Sequence, residues 1–451
     1  MIKLKALFTR FLGNPLMQRV VRNTGYLFSA QTLVAGLSFG QGVLAARLLG
    51  VEGAGIVGII TQYASNINRL ISFRMHELVI SYVGEFSANG HEQDAMAVFK
   101  GAALAEIGAS VVAYLLAISL APVGAAVFAH DRALAGLFRF YALSVLANLM
   151  YESAYGLLQY FNRYRVIAAI MIGQSVLTLG LIARAYLRRG ELSDVVLAYL
   201  SGKVVLAVLT SLAALAQARA AWGPGWWKVR LARLSQRGRD LLRFAVNRNI
   251  NGTLRLVTRD SEALWLGALT SPLQVGYYKI ARAIINFVAM PVDPLIRTTY
   301  RELSIEVARS RWENVRYLLR SGTLLSAVWT LPASLFLILF GKQVVSIYGP
   351  NFLPTSYESL LILLVGVMVS NLLYWSQMVL LPMGMPEFPT KVQAIGALLM
   401  IAGMLVLVPL AGSNGMALLM SAFLVFTVGV SVVKTMREIW RAQARKSTST
   451  G

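Results

Sequence analysis

The sequence predicts an all-α polytopic membrane protein of about twelve transmembrane helices, arranged as two pseudo-repeated six-helix lobes around a central cavity. Three observations predict it. The 451 residues are 57% hydrophobic and only 14% charged, with a mean hydropathy of +0.62, well outside the range of water-soluble domains. The apolar residues fall in runs of about twenty, the length that carries a helix across a hydrocarbon core of ~30 Å. The second half also repeats the first in detail. ARLLGVEGAGIVGI, which ends one helix and opens the next, is answered by ALWLGALTSPLQVGYYKI, and downstream Glu85 and Lys100 correspond to Glu302 and Arg320.

From the N-terminus, residues 1–22 read as a basic amphipathic segment lying on the inner membrane face, with no apolar run or cleavage site of a signal peptide. Residues 23–217 make the first six-helix lobe. Its clearest span, residues 23–46, carries no charge and closes on Arg47 and the turn LLGVEGAG. The second, about 56–83, is interrupted by Asn66, Asn68, Arg69, Arg74, His76 and Glu77; Gln62, Asn66, Arg69 and His76 recur at helical spacing and give it a polar face. Further spans fall near 98–120, 133–158, 166–187 and 195–216. Glu106 and Glu152 are lone carboxylates in the third and fourth, suited to an interhelical hydrogen bond or to carrying a proton.

Residues 218–243 hold many arginines and the cluster WGPGWW at 222–227, and read as a basic cytoplasmic linker with its tryptophans at headgroup level. Residues 244–435 make the second lobe, with spans near 244–269, 275–299, 317–340, 357–381, 392–410 and 415–435. Residues 436–451 are a basic cytoplasmic tail. The net charge of +22 sits mainly between the apolar runs, the pattern of cytoplasmic loops rather than of nucleic-acid binding. Both termini are therefore expected in the cytoplasm.

The charge inside the spans carries the functional reading. In FAVNRNINGTLRLVTRDSEALWLG, residues 244–267, Arg248, Arg255, Arg259 and Glu262 lie seven, four and three residues apart on one face, with Asp260 beside them. The next helix presents Lys279, Arg282, Asn286, Asp293 and Arg297 in the same way. Each such charge at the bilayer centre costs about 2.5–3.5 kcal/mol unless it faces water or a partner. A cleft holding Arg69, Arg74, Arg255, Arg259, Lys279 and Arg282 would suit an anionic headgroup, because arginine's planar fork matches phosphate. Simpler roles stand beside this one. Arg74 with Glu77, and Arg259 with Glu262, are spaced to neutralise each other within a helix, and Lys279 and Arg282 lie near enough to a helix end to snorkel to the headgroups.

With no cysteine and three histidines, thiol chemistry is excluded and a histidine-rich metal site is not expected. The sequence contains no HExxH, nucleophile elbow, Walker loop or acidic metal cluster, so neither an enzyme nor a cofactor is expected.

The run ARLLGVEGAGIVGI resembles the first-hairpin signature of the bacterial oligosaccharide (polysaccharide biosynthesis) flippases of the multidrug/oligosaccharidyl-lipid/polysaccharide exporter superfamily. SEALWLGALTSPLQVGYYKIARAI, with Glu262 five residues before Gly267, resembles that family's seventh-to-eighth helix junction. IYGPNFLPTSYESLLILLVGVMVSNLLY with LLPMGMPEFPTK is similar to its tenth helix and exit loop. The resemblance covers residues 23–435. It implies a polyprenyl-diphosphate-linked oligosaccharide as substrate, moved from the cytoplasmic to the periplasmic leaflet by alternating access. The charged seventh helix departs from the family pattern. Glu77, Asp260, Glu262 and Asp293 are then candidates for coupling to a proton or sodium ion, or serve only to balance the arginines. The partners expected are the lipid-linked substrate, membrane lipids and a polysaccharide polymerase, with a monomer sufficient. A cation-coupled multidrug antiporter of the same superfamily would want an acidic, aromatic cavity, and a lipid II flippase about fourteen spans.

Overall fold

The computed structural model describes residues 15–71, 75–234, 256 and 260–449. Among them regular structure is entirely helical: α1 (Pro15–Ile71), α2 (Met75–Ala88), α3 (Glu92–Phe128), α4 (Ala135–Ala147), α5 (Tyr151–Tyr160), α6 (Tyr164–Leu187), α7 (Leu192–Trp222), α8 (Glu262–Leu269), α9 (Pro272–Ala289), α10 (Asp293–Ala308), α11 (Trp312–Ser346), α12 (Thr355–Leu372) and α13 (Glu387–Ser449), with one-turn 3-10 pieces between some of them. The fold class is the predicted one, an all-α polytopic membrane protein.

Eight stretches are helical, long and apolar enough to cross a membrane. Two of these, in α1 and α13, are pairs of helices joined at Gly50 (φ 70°) and Gly412 (φ 53°) and so hold two passes each. A residue with a Cβ is strained at such φ values, so glycine marks both joins. Of the other two expected passes, 244–269 lies mostly outside the described residues, and 275–299 falls on α9 and α10.

The described residues gather into two compact units. The first holds residues up to 48, 63–125 and 132–256; the second holds 49–62, 126–131 and those from 257 on. The tip of the first hairpin and the loop after α3 thus group with the second half of the chain, although they precede it in sequence.

In the first unit, α3 buries a strip of small residues, Ser110, Ala113, Ala117, Ala121 and Gly124, which lets its neighbours approach closely. Tyr63 uses that strip: its hydroxyl donates to the Ala117 carbonyl at 2.8 Å, and its ring lies in the space that Gly124 leaves open. The fourth span is not continuous, since α4 stops at Ala147 and α5 starts at Tyr151. The first amides of α5 are taken by Glu106 of α3, whose Oε1 accepts from Glu152 N (2.7 Å) and whose Oε2 accepts from Ser153 N (2.9 Å) and Ser153 Oγ (2.6 Å). A carboxylate at a helix N-terminus satisfies its donors and complements its dipole, so Glu106 supplies the cap that Met150 lacks.

The linker does not begin as a loose loop. Trp222 closes α7 and packs against Phe161 (5.7 Å between ring centroids), while Trp226 packs against Phe99 (5.3 Å). Trp222 Nε1 donates to Glu92 Oε2 at 2.9 Å, and Lys100 Nζ donates to the Val229 carbonyl at 3.0 Å.

In the second unit, α9 and α10 are separated by one 3-10 turn, Met290–Val292. Pro291 and Pro294 have no N–H, so carbonyls in the turns before them lack their usual helical donors. Beside that turn, Val288 O accepts two side chains from outside the helix, Asn371 Nδ2 (3.0 Å) and Trp329 Nε1 (3.1 Å). After α12 the chain runs in turns from Leu373 to Gly384, held by Tyr374 Oη to Thr299 Oγ1 (2.8 Å) and Trp375 Nε1 to Thr323 Oγ1 (2.9 Å). Tyr374, Trp375 and Val379 are buried with Leu303, Val315 and Leu319 in one apolar core. The fourth and the tenth span are therefore both interrupted, each inside its own unit, where side chains can satisfy the freed backbone.

Candidate functional site

The charged residues that the structure brings together lie at the α8–α9 junction of the second unit. Glu262 occupies the first turn of α8 and is buried, at 4% exposure. Tyr278 of α9 donates its hydroxyl to Glu262 Oε2 at 2.7 Å, and Arg282, one helical turn on, places Nε 3.5 Å from the same oxygen. The i, i+4 spacing of Tyr278 and Arg282 is what lets one helix offer a phenol and a guanidinium to one carboxylate. Burial of an unpaired carboxylate in a membrane interior would be costly, and this pairing offsets it.

Gln62, from the hairpin tip, fixes the entry to α8 from both sides. Its Nε2 donates to the Asp260 carbonyl at 2.6 Å and its Oε1 accepts from Ala263 N at 2.9 Å, one of the amides a helix start leaves unbonded. Lys279 does not snorkel. Its Nζ donates to the Ala54 carbonyl at 3.1 Å, and its stem runs past Gly58, where a Cβ would lie 3.1 Å from Lys279 Cδ. Nearby, a Cβ on Gly55 would collide with the Pro272 carbonyl, and one on Gly276 with the Val51 carbonyl, so α9 and residues 49–62 meet backbone to backbone. His130 Nε2 lies 2.8 Å from the Gly267 carbonyl and ties the 126–131 loop to α8.

Of the residues expected to bind substrate, Lys279 and Arg282 share this cluster with Glu262, and Asp260 stands at its edge. Asp293 is exposed at the start of α10, and the 3-10 turn at 290–292 interrupts the stripe that the sequence suggested would run on from Arg282. Arg69 and Glu77 belong to the first unit, Arg69 exposed near the end of α1 and Glu77 half-buried in the first turn of α2. Arg74, Arg255 and Arg259 lie outside the described residues. In α2, His76 Nε2 is 3.0 Å from Gln159 Oε1, and its ring is 5.5 Å from Tyr155.

Two residues went unnoticed in the sequence reading. Tyr278 looks like any apolar-face aromatic, and nothing in its spacing marks it as the hydroxyl partner of Glu262. Lys203 had a signal, being the one Lys, Arg, Asp or Glu between Asp194 and Arg219 in α7. Chemically, the α8–α9 cluster can hold a carboxylate between a cation and a phenol; an anionic ligand can take the carboxylate's place at Arg282, and a small cation can take the arginine's place at Glu262. Among the described residues no group of His, Asp and Glu is placed to hold a metal ion.

The polysaccharide biosynthesis protein family matches residues 20–300, more than half of the chain. No curated protein sequence matches it. Among solved structures, the chain is similar to a multidrug resistance MATE family transporter of the MOP superfamily in an inward-facing conformation, at 15% identity over 92% of this chain and 96% of that one, with a TM-score of 0.73. It is also similar to the lipid II flippase MurJ in an inward closed conformation, at 13% identity over 92% and 89%, TM-score 0.69. A third is a MOP superfamily transporter from Pyrococcus furiosus, for which a reversed polarity of the binding pocket is described, at 13% identity over 96% and 98%, TM-score 0.62. At such identities the likeness establishes a shared fold.

Proposed function

Since the chain belongs to the polysaccharide biosynthesis protein family, a family of membrane flippases and transporters rather than of enzymes, we propose that it moves a polyprenyl-diphosphate-linked oligosaccharide from the cytoplasmic to the periplasmic leaflet. The observation that carries this reading is the excess of cations within the spans: Arg69, Lys279 and Arg282 among the described residues, with Arg74, Arg255 and Arg259 beyond them. A multidrug antiporter that extrudes cations would want the opposite sign. Arginine and lysine instead suit a diphosphate, with the polyprenyl tail left in lipid.

In this proposal Arg69, Arg74, Arg255, Arg259, Lys279 and Arg282 hold the diphosphate and sugars in turn during alternating access. Glu262 releases Arg282 when the anion arrives and takes a proton or sodium ion on the return; Glu77, Asp260 and Asp293 are the other coupling positions. The protein sits in the bacterial inner membrane with both termini cytoplasmic, works as a monomer and hands its product to a polymerase. Deletion of the gene tests the reading. We expect polyprenyl-diphosphate oligosaccharide to accumulate inside and polymer to disappear from the surface. Unchanged polysaccharide with new sensitivity to cationic drugs would defeat it. Transport in vesicles with an imposed pH or sodium gradient tests the coupling, and insensitivity to both would remove it.

A further inference from the structure

Lys203 of α7 is the one lysine, arginine or carboxylate between Asp194 and Arg219. At 1.5 Å per residue it lies roughly 16 Å from the Leu192 end of the helix and roughly 28 Å from Trp222, too deep for its stem to carry the ammonium to either headgroup layer. An ammonium at such depth needs water or a partner.

The face it occupies decides which. Spacings of four, seven, four and three place Tyr199, Lys203, Thr210, Ala214 and Gln217 on one side of the helix. On that side Thr210 is 3% exposed and Ala214 0%. The apolar, outward side is marked by Leu197, Val208 and Leu212, exposed at 48%, 43% and 56%. Lys203 is nonetheless exposed, so its access to solvent opens on the protein side, not toward lipid. On its flank, Gly202 packs against Thr178 and Gln174 of α6.

Among the described residues no hydrogen bond or ion pair reaches Lys203, and the charged group that acts on it is another cation, Arg69. Both belong to the first unit and both are exposed. The carboxylate that this unit buries most fully, Glu106, is committed to capping α5. Two like charges on different helices of one unit that act on each other repel, and a multiply charged oxyanion placed against both reverses that repulsion. Lysine then acts as a point charge and arginine as a planar fork.

We propose that Lys203 is a phosphate-holding position of the first unit, taking phosphate oxygens of the transported lipid together with Arg69. That the phosphate belongs to the transported lipid rests on the flippase reading; that a phosphate binds there rests on Lys203 and its surroundings alone.

The test uses the purified full-length protein in lipid nanodiscs, with Lys203→Met, which keeps the stem and removes the charge, and Lys203→Arg, which keeps the charge. Binding of polyprenyl diphosphate and of phosphatidylglycerol is measured side by side by native mass spectrometry, and each variant is returned to the deletion strain. We expect K203M to melt like the unaltered protein, to bind polyprenyl diphosphate about ten- to a hundred-fold more weakly, as loss of one charge-assisted contact requires, and to export little polymer. K203R should restore both. Equal binding and export by K203M overturns the role of Lys203 and, where the deletion strain accumulates lipid-linked sugars, leaves the flippase reading standing. Equal weakening of phosphatidylglycerol binding overturns the assignment to substrate and makes the site one for a phospholipid headgroup. No accumulation in the deletion strain, with K203M still selectively weakening polyprenyl diphosphate, would leave the phosphate site and remove the flippase.

Discussion

Replacing Glu106 by alanine exposes how the broken fourth span is held. The substitution removes the acceptor of three bonds, from Glu152 N at 2.7 Å, Ser153 N at 2.9 Å and Ser153 Oγ at 2.6 Å. The hydroxyl can turn back to a carbonyl of its own helix, but two backbone donors stay buried without an acceptor. At about 1–3 kcal/mol for each orphaned group, we expect E106A to lose about 2–6 kcal/mol. Glu106→Gln keeps an acceptor oxygen in place and should lose about 1–2 kcal/mol. Unfolding titrations in mixed detergent micelles, from dodecyl maltoside to dodecyl sulfate, read both. A loss under ~1 kcal/mol for E106A would refute the capping account. The same pair of variants separates a cap from a proton carrier. E106Q cannot carry a proton yet should still export polymer; loss of export at normal protein level would show that Glu106 titrates in the cycle.

Other expectations follow from the second unit. Gly55→Val places a side chain against the Pro272 carbonyl and the Gly276 amide; overpacking of about 1–3 kcal/mol or more should lower its level in the membrane, and normal level and export would contradict the close approach. Asn371→Leu removes one of two donors to Val288 O, and because Trp329 Nε1 remains at 3.1 Å the loss should stay near 1 kcal/mol. Combining it with Trp329→Phe removes both side-chain donors and should cost more than the two singles summed; strict additivity would show that the two donors do not back each other up. For the buried pair, Glu262→Gln or Arg282→Gln alone leaves a charge without its partner, whereas both together should be the milder change. A double-mutant cycle in the same titration measures this, and a coupling near zero would mean that the 3.5 Å contact contributes nothing.

The membrane class was legible because it rests on long apolar runs and on a repeat visible as strings of residues, neither of which depends on tertiary contacts. The stripe spacing likewise marked Lys279 and Arg282 as neighbours on one face. Their partners were not legible. Glu262 pairs with Arg282 on the next helix, and no periodicity rule reports a pairing between helices, while Arg259, three residues before it, lies outside the described residues. The interruption of the fourth span hid for a similar reason: Ala147-Asn148-Leu149-Met150 holds neither proline nor glycine, and the break persists because Glu106, some forty residues earlier, accepts the freed amides. In the eighth span the signal was present in Pro291 and Pro294, but a continuous stripe was drawn through it. Lys203 was not legible as a site because spacing rules mark groups of charges, and it stands alone between Asp194 and Arg219.

The central claim is transport of an anionic lipid-linked glycan. The most direct measurement reconstitutes the purified protein in liposomes with a polyprenyl-diphosphate-linked oligosaccharide and follows, with a glycan-cleaving enzyme added outside, how fast inner-leaflet glycan becomes accessible. The account predicts that accessibility rises from about half to nearly all of the glycan in vesicles that contain the protein, and stays near half in empty vesicles and in those carrying R282Q or K203M. Equal accessibility with and without the protein would contradict it.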